Sequence, residues 1–353
     1  MKAEALEWLL EPSDPPIRAL TLAEVLGKRA DDPEVEAARE SSLSYKPVVT
    51  LKRRQGQSGY WPPDDTCYNP KFTSTVWQLM LLGEMWVPRT PWIESAVERF
   101  LSQHQMENGA FCWRRIGGRG KQEEEPCLTG NMLRTMLVFG YWDDPRVRNG
   151  LDWMPEHQQE DGGWNCDFPS YNPTHSSFMS TIEPLWAYSE VPRAKWTRRM
   201  KSSIDRGAEF LLTHRLFKSH RDWRPVEFRG MSNYFGGGLP TKFHFPMYYY
   251  YDALHALRVL AKLGYQDDER MGDAVHLTLS KKTPDGKWLL EGDWVRERND
   301  RVRKTLVTIE QLGKPSKWVT LNCYRVLAKT GALELPRGVA SSTLRMRLPT
   351  TEH

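Results

Sequence analysis

Two adjacent carboxylates, Asp64 and Asp65, stand in the stretch YWPPDDTCYNP (residues 60–70), directly before an apolar run. Two acids that share one site interact, and the like charge raises the pKa of one of them until it can act as a proton donor. The same two residues, together with Thr66, can instead cap the helix that the apolar run predicts. Asp64 and Asp65 are therefore candidate catalytic residues and candidate helix caps.

Four side chains of the types that bind zinc occupy similar places, shortly before apolar runs: Cys127, Cys166, His175 and His244. A catalytic zinc ion takes three protein ligands and keeps one position open for a reactant. The pattern predicts a zinc site built from some of these four residues. The alternative is a set of unrelated thiols that only pack, because a free cysteine often behaves as a small core residue.

Charged and aromatic side chains complete the set of residues that could bind a substrate. Arg114, Arg115 and Arg224 are candidates for holding an anionic group, and a solvated basic surface is the alternative. The run Tyr248–Tyr251 is predicted to form one helical turn, and Trp77 and Phe178 lie on similar helices. Aromatic faces stabilise cations by about 0.5–2 kcal/mol each, although most aromatic side chains on buried helices serve as core.

The elements that position these residues are two kinds of helix in alternation. The strongly apolar helices are predicted over residues 17–27, 74–86, 128–142, 176–190, 247–264 and 317–331. Amphipathic helices alternate with them, as in residues 91–105, 144–158 and 206–217, and many begin at Pro or Asp. Six buried helices inside a ring of five to six amphipathic ones form an all-α fold, an (α/α)6 toroid. We predict one domain over residues 1–353, with residues 332–353 as a C-terminal tail.

The connections between the helices are unequal in length. Those leading from an apolar helix to an amphipathic one are short, whereas those leading to the next apolar helix are long, for example residues 107–126 and 217–246. In an alternating ring all the long loops must lie at one rim, where the inner helices begin. Long loops in compact domains are usually functional. The rim therefore gathers the candidate residues, and the positive ends of six helix dipoles favour an anion there.

A short phrase, Gln-x3-Gly-x-aromatic, closes the amphipathic helices and recurs at about 50-residue spacing, the range of helical repeats. It reads QGQSGYW at Gln55, QMENGAF at Gln105 and QQEDGGW at Gln158. The longest copy, GLDWMPEHQQEDGGW (residues 150–164), resembles the QW repeat of squalene and oxidosqualene cyclases, with Asn149 and Met154 as departures. The wider group includes the β subunits of protein prenyltransferases. In that family the repeat is structural, and the resemblance implies the α/α toroid.

The resemblance also implies roles for single residues. Squalene-type cyclases use Asp-x-Asp-Asp-Thr before an inner helix, and PPDDT places Asp64 at the proton donor, although Pro62 replaces the first Asp. Prenyltransferases hold zinc at the starts of inner helices, where His175 and His244 stand here in a shifted register and without an Asp-x-Cys. The chain is about half as long as a two-domain triterpene cyclase. Prenyltransferases work with a partner subunit, and nothing in this sequence indicates one.

Composition limits the classes of ligand and the cellular compartment that fit this chain. The 353 residues carry a net charge of +4, which suits an anionic small molecule and is too weak to indicate nucleic acid. The N-terminus does not resemble a signal peptide, and no apolar run is long enough to span a membrane. The sequence leaves peripheral contact with a membrane surface as an open alternative. Five widely spaced cysteines predict a reduced, cytoplasmic setting.

Three functions fit these features. The first is an enzyme of the terpene cyclase or prenyltransferase type, with or without zinc, that acts on an apolar isoprenoid with an anionic head. The second is a toroid polysaccharide lyase or glycosidase that uses paired carboxylates among Asp161, Asp167 and Glu183, with tryptophans as sugar platforms. The third is a non-catalytic toroid that binds a peptide or protein at its rim.

Overall fold

The structure is a computed structural model that describes residues 1–63, 66–167, 174–227, 239–293 and 304–333. Within these ranges the chain forms α-helices and short 3-10 and π turns, and the only extended pairings are isolated β-bridges. The predicted all-α class is therefore confirmed. No helix in the described ranges is long and apolar enough to cross a membrane.

The inner helices form a closed ring. Along the chain they are α2 (Pro15–Leu20, continued by a π turn, Thr21–Val25), α5 (Thr75–Glu84), α7 (Pro126–Val138), α9 (Phe178–Glu190), α11 (Ala253–Leu263) and α13 (Lys317–Lys329). Each packs on the next from α5 to α13, and α13 packs on α2. The C-terminal ends of all six border one small cavity, so α2 and α5 close the ring. These helices are apolar because they are covered on every side, and all ten residues of α5 are buried.

The outer helices alternate with the inner ones, as the sequence predicts. They are α1 (Ala3–Leu9), α4 (Lys46–Arg54), α6 (Pro91–His104), α8 (Pro145–Trp153), α10 (Arg198–Thr213) and α12 (Gly272–Ser280), with an additional helix α3 (Pro33–Ser41) before α4. Each buries one stripe. In α6 the stripe is Ile93, Ala96, Val97 and Phe100, the spacing of a single helix face.

The Gln-x3-Gly-x-aromatic phrase joins neighbouring outer helices. Each Gln amide donates to the carbonyl of its own Gly and to a carbonyl in the following outer helix: Gln55 to Trp92 (2.8 Å), Gln105 to Arg146 (2.7 Å) and Gln158 to Ser203 (2.9 Å). The indole N–H groups of Trp61 and Trp164 donate to carbonyls ten residues earlier, at Leu51 and Met154. The phrase therefore satisfies backbone groups at the helix ends and fixes the spacing of the ring.

The predicted first residue of one inner helix is wrong. Residues 247–264 were expected to be helical, but α11 begins only at Ala253, and Tyr248–Tyr251 precede it in non-helical backbone in which Tyr248 has a φ of 52°. The reason is Asp252, whose carboxylate accepts the backbone N–H of His255 at 2.7 Å and so caps the helix at that point. The four tyrosines consequently do not share one helical turn.

Candidate functional site

A cavity of about 1210 Å³ opens at the rim where the inner helices begin. Its walls come from the loop before α5, the first turns of α5, α7 and α9, the outer helix α10, and the loop before α11. The capping side chain of Ser177, which accepts the N–H of Ser180, sets the start of α9 at this rim. The cavity exceeds the roughly 300–1,000 Å³ of ordinary small-molecule pockets, so a long substrate fits.

The axial end of this cavity is aromatic. The ring centroid of Trp77, in α5, lies 5.2 Å from that of Tyr68 and 5.1 Å from that of Tyr249. All three side chains line the cavity, and Trp77 and Tyr249 are buried. The Tyr249 hydroxyl is buried without a hydrogen-bond partner, and burial raises the pKa of this phenol well above its ordinary value. The three rings therefore form an aromatic wall in which the Tyr249 phenol is neutral.

A second aromatic group lies at the outer end. Phe178, the first residue of α9, contacts Phe210 (5.5 Å between centroids) and His214 (5.0 Å) of α10. Burial lowers the pKa of His214, which favours the neutral imidazole. The cavity therefore runs from the ring axis to an outer helix between two aromatic patches. The predicted residues Trp77, Phe178, Tyr249 and Tyr250 all line it.

Tyr248 is placed behind the cavity wall. Its ring lies 5.1 Å from that of Trp77 and 5.6 Å from that of Phe72, and its side chain is buried. Because the chain is not helical here, adjacent tyrosines point in different directions. Tyr248 supports the indole of Trp77 and does not face the cavity.

Among the Asp, Glu, Lys and Arg side chains that line the cavity, the carboxylates outnumber the cations. Asp161 and Asp167 line the cavity, and the Asp161 carboxylate accepts the backbone N–H of Ser176 at 2.8 Å as well as its hydroxyl. Glu209 also lines it and is paired with Arg270 at 2.7 Å. Glu183, the third acid proposed for sugar chemistry, is fully buried in α9 and does not line the cavity. Two of the three acids of the glycosidase hypothesis, Asp161 and Asp167, therefore line one cavity, and Glu183 does not join them.

The three predicted arginines do not line the cavity. Arg114 stacks on Trp113 (4.1 Å to the ring centroid), and Arg115 and Arg224 are exposed. Among the described lining residues the Lys and Arg side chains are Lys71 and Arg221. Arginines in flexible, polar loops cannot be placed from sequence spacing alone, because the loop fold decides which of them turns inward.

The structure brings two of the four predicted zinc ligands into contact. The Cys166 and Cys127 sulfur atoms are 2.7 Å apart at the cavity wall, and both are free thiols. Two thiolates on one tetrahedral zinc ion, each about 2.3 Å from the metal, would be separated by about 3.8 Å. His175 also lines the cavity but is exposed. The two sulfurs as placed do not leave room for a shared zinc ion.

His244 belongs to a different environment. It is buried, its Nδ1 lies 3.2 Å from the carboxylate of Asp252, and Gly292 packs against its ring. It does not line the cavity with the two thiols. In the part of the chain that the structure describes, no three His, Cys, Asp or Glu side chains have the spacing of a metal site. Zinc stays a prediction, and we derive no chemical step from it.

Elemental analysis of the purified protein tests the zinc prediction. Without a suitable donor set we expect less than one-tenth of an equivalent of zinc per chain, roughly, and the same content in a Cys127→Ser variant. The matched control is Cys323→Ser, since Cys323 is buried in α13 away from the rim. One equivalent of zinc that is lost in Cys127→Ser and retained in Cys323→Ser would overturn this expectation.

The predicted acids Asp64 and Asp65 lie outside the described residues. Tyr68, which follows them closely in sequence, lines the aromatic end of the cavity, and the hydroxyl of Thr66 accepts the backbone N–H groups of Tyr68 and Asn69 at 3.3 Å each. Thr66 therefore organises the turn that carries Tyr68 to the cavity. The proton-donor role of Asp64 stays a prediction.

Glu125 is a candidate that the sequence did not reveal. It is the cap residue of α7, two positions before Cys127, and burial raises the pKa of its carboxyl to about 7, with Glu123 adding to the rise. Its charge acts on Tyr68 and Tyr249 at the aromatic end of the cavity. A carboxyl that is half-protonated at neutral pH is suited to acid catalysis. Within the run Glu123–Glu125 it reads as surface charge, because burial is not visible in the sequence.

Comparisons with known proteins define the protein family to which this chain belongs. A family model described as squalene-hopene cyclase C-terminal domain matches residues 69–263, more than half of the chain. The chain belongs to this family. A search of curated proteins finds no significant match.

Several solved structures share the helical arrangement at low similarity. ent-Copalyl diphosphate synthase from Streptomyces platensis is 13% identical with a TM-score of 0.43, over 92% of this chain and 51% of that one, so the chain spans about half its length. The type II terpene cyclase MstE_D109A from Scytonema, in complex with merosterolic acid A, is 14% identical with a TM-score of 0.30, over 81% and 95%. The GH76 α-mannanase BT2949 of Bacteroides thetaiotaomicron is 10% identical with a TM-score of 0.40, over 73% and 68%. Similarity at this level carries no argument about substrate.

Proposed function

We propose that this chain is a terpene cyclase that folds a linear isoprenoid in the rim cavity and closes its rings by protonation. The observation that carries the proposal is the cavity itself, which is large and has aromatic groups at both ends. A chain that cyclises through carbocations needs a long apolar site whose walls stabilise positive charge without reacting with it. Aromatic faces meet both needs. Membership in the squalene-hopene cyclase family supports the same reaction class.

Each step of the proposed cyclisation can be written with a carboxyl group of this chain as the proton source. A carboxylic acid transfers its proton to one carbon of an alkene, which leaves the positive charge on the other carbon. The next double bond attacks that carbon and forms a carbon–carbon bond, and the final cation loses a proton. Two carboxyls are candidates for the first step: Asp64 through the family resemblance, and Glu125 through its raised pKa and its charge effect on Tyr68 and Tyr249, although Glu125 is not itself one of the residues that line the cavity.

The glycan and peptide-binding alternatives have less support. Of the three acids considered for glycosidic cleavage, Asp161 is bonded to Ser176 and Glu183 is buried away from the cavity that Asp161 and Asp167 line. A peptide-binding rim does not need an aromatic-walled chamber of this volume. The zinc-dependent variant lacks a donor set with the required spacing among the described residues.

Incubation with linear isoprenoids tests the proposal. The panel contains farnesyl diphosphate, geranylgeranyl diphosphate and squalene, so that anionic and uncharged heads are compared, and products are identified by gas chromatography with mass spectrometry. We expect a cyclic product from at least one member. A panel that returns only starting material, together with oligosaccharide cleavage by the same preparation, would contradict the proposal.

Phe178→Leu is expected to lower the cyclisation rate about 2- to 30-fold, because one ring contributes about 0.5–2 kcal/mol of cation stabilisation. The measurement is kcat on the accepted isoprenoid, together with the ratio of cyclic products. The matched control is Phe139→Leu, the same change in a buried residue at the far end of an inner helix. Equal rate losses in both variants would show that the effect is structural and would count against a role for Phe178 in the cavity.

A further inference from the structure

A second cavity lies at the opposite end of the ring, where the inner helices end. Its volume is about 280 Å³, and it shares no lining residue with the aromatic cavity. Its walls are rich in charge. Four cationic side chains contribute to them, namely Arg134, Arg258, Lys262 and Arg325, and three carboxylates do so as well, namely Glu24, Glu84 and Glu190.

Three of the cations are matched by the three carboxylates. The ion pairs are Arg325 with Glu24 (3.1 Å), Arg258 with Glu84 (3.1 Å) and Lys262 with Glu190 (2.5 Å). Asn322 also accepts hydrogen bonds from both Arg258 and Arg325. One positive charge in the wall is therefore left over, and it belongs to Arg134.

Arg134 is buried without a hydrogen bond. Its side chain is 8% exposed, and its guanidinium stacks on Trp186 at 4.2 Å from the ring centroid. The nearest carboxylate oxygen is that of Glu190, 3.7 Å from Nε and already paired with Lys262. Among the described residues no group accepts a hydrogen bond from this guanidinium, and its Nε is buried without a partner.

A buried, unpaired guanidinium is an unfavourable arrangement unless something completes it. Burial lowers the pKa of Arg134, and the charge of Glu190 offsets this only in part. The Nε of Arg325 is likewise buried without a partner in the described structure. Leaving a charged donor unsatisfied costs more than leaving a neutral one. Both residues line the same cavity, so an anion bound there would lie close to both guanidinium groups.

We propose that this second cavity is a binding site for a small monocarboxylate, with Arg134 as its principal ligand. A carboxylate matches the planar pair of N–H groups that a guanidinium presents. The three glutamates in the wall oppose a doubly charged anion, whereas one surplus positive charge suits a single negative one. Leu137, Val138 and Trp86 supply an apolar side to the cavity, which fits a ligand with a short aliphatic or aromatic body.

The competing explanation is that the basic residues only offset the negative ends of the inner helices. Under that explanation the cavity needs no ligand. Three of the four cations are already used in close ion pairs, whereas the fourth, Arg134, directly precedes the last turn of α7 and has only the 3.7 Å contact with Glu190. The two explanations therefore differ in whether an anion binds.

Benzoate is the probe, titrated by calorimetry at constant ionic strength into the full chain. We expect one saturable site in the wild type and at least tenfold weaker binding in Arg134→Met, whose ligand-free melting temperature is no lower than that of the wild type because an unpaired charge has been removed. Arg134→Lys keeps the charge but loses the planar donor pair, and it is expected to weaken benzoate binding as well. Phe178→Leu, in the other cavity, is expected to bind benzoate as the wild type does.

Three outcomes would overturn the proposal. The first is the absence of saturable benzoate binding. The second is equal affinity in wild type, Arg134→Met and Arg134→Lys. The third is tighter binding of inorganic phosphate than of benzoate, which would assign the cavity to a different anion. Because the readout is binding and not turnover, the result is independent of whether the chain cyclises isoprenoids.

Discussion

Glu125→Gln is expected to slow cyclisation by about 10²–10⁴-fold, the usual contribution of a positioned acid. The carboxyl has a pKa of about 7 because it is buried and lies beside Glu123. Only the protonated form of the Glu125 carboxyl can donate a proton to the alkene. In the wild type, kcat/KM should therefore be constant below pH 7 and fall about tenfold per pH unit above it. In the glutamine variant this decline should disappear, because the group no longer titrates.

Two further variants give this prediction its controls. Glu160→Gln removes an exposed acid and should leave the rate and the pH profile unchanged. Asp64→Asn tests the residue that the family resemblance selects. If Asp64→Asn abolishes turnover while Glu125→Gln retains the wild-type rate and pH profile, then the proton comes from Asp64 and the role given to Glu125 is wrong.

Glu183→Gln is expected to make the protein more stable, and increasingly so as the pH rises. Glu183 is fully buried in α9, and neither carboxylate oxygen makes a hydrogen bond of good geometry, although the Asn131 side chain lies close enough to oppose the rise in the pKa of this carboxyl. Burial raises the pKa of this carboxyl well above 4.5, and the charge of Glu84 raises it further. The folded chain therefore keeps the proton at a pH where the unfolded chain releases it.

The sign and size of this change in stability follow from proton linkage. Between the ordinary pKa near 4.5 and the raised pKa in the folded state, the native state binds one proton more than the unfolded state. The free energy of unfolding then falls by about 1.4 kcal/mol per pH unit. Glutamine has a similar shape and does not titrate, so the stability difference between variant and wild type should grow at about this slope as the pH rises from the ordinary pKa towards the raised pKa of Glu183.

Urea denaturation at pH 5, 6 and 7 measures this difference. Glu160→Gln is again the matched control, since its carboxyl is exposed and should give no pH-dependent gain. A constant difference between Glu183→Gln and wild type across the three pH values would mean that Glu183 is ionised in the folded protein and would contradict the burial argument.

Most of the architecture could be predicted because it follows from periodicity. Alternating apolar and amphipathic helices, unequal loops and the spacing from Gln55 to Gln158 are all visible in the sequence, and the structure confirms the six-helix inner ring. The start of α11 was missed because the tyrosines dominate the pattern, although Asp252 is a recognisable cap. Trp77, Phe178, Tyr249 and Tyr250 line the cavity, and their role in binding a substrate stays a prediction.

Features that depend on three-dimensional packing could not be predicted. The pKa of Glu125 is set by burial and by neighbours such as Lys71, which is far away in sequence. The second cavity combines Arg134, Arg258 and Arg325 from three different helices, each of which looks like an ordinary charge within its own segment. The contact between Cys127, in the first turn of α7, and Cys166, in the loop before α9, joins segments that are far apart in sequence, and sequence spacing could not show it.

Cyclisation in deuterated water tests the central claim most directly. The purified chain is incubated with the linear isoprenoid panel in D2O, and the products are analysed by mass spectrometry and NMR. Protonation of an alkene by a carboxyl of the protein predicts a cyclic product with one deuterium bound to carbon at the initiation site, and its loss in the variant that lacks the acid. A cyclic product without deuterium, or no cyclic product from any member of the panel, would contradict the account.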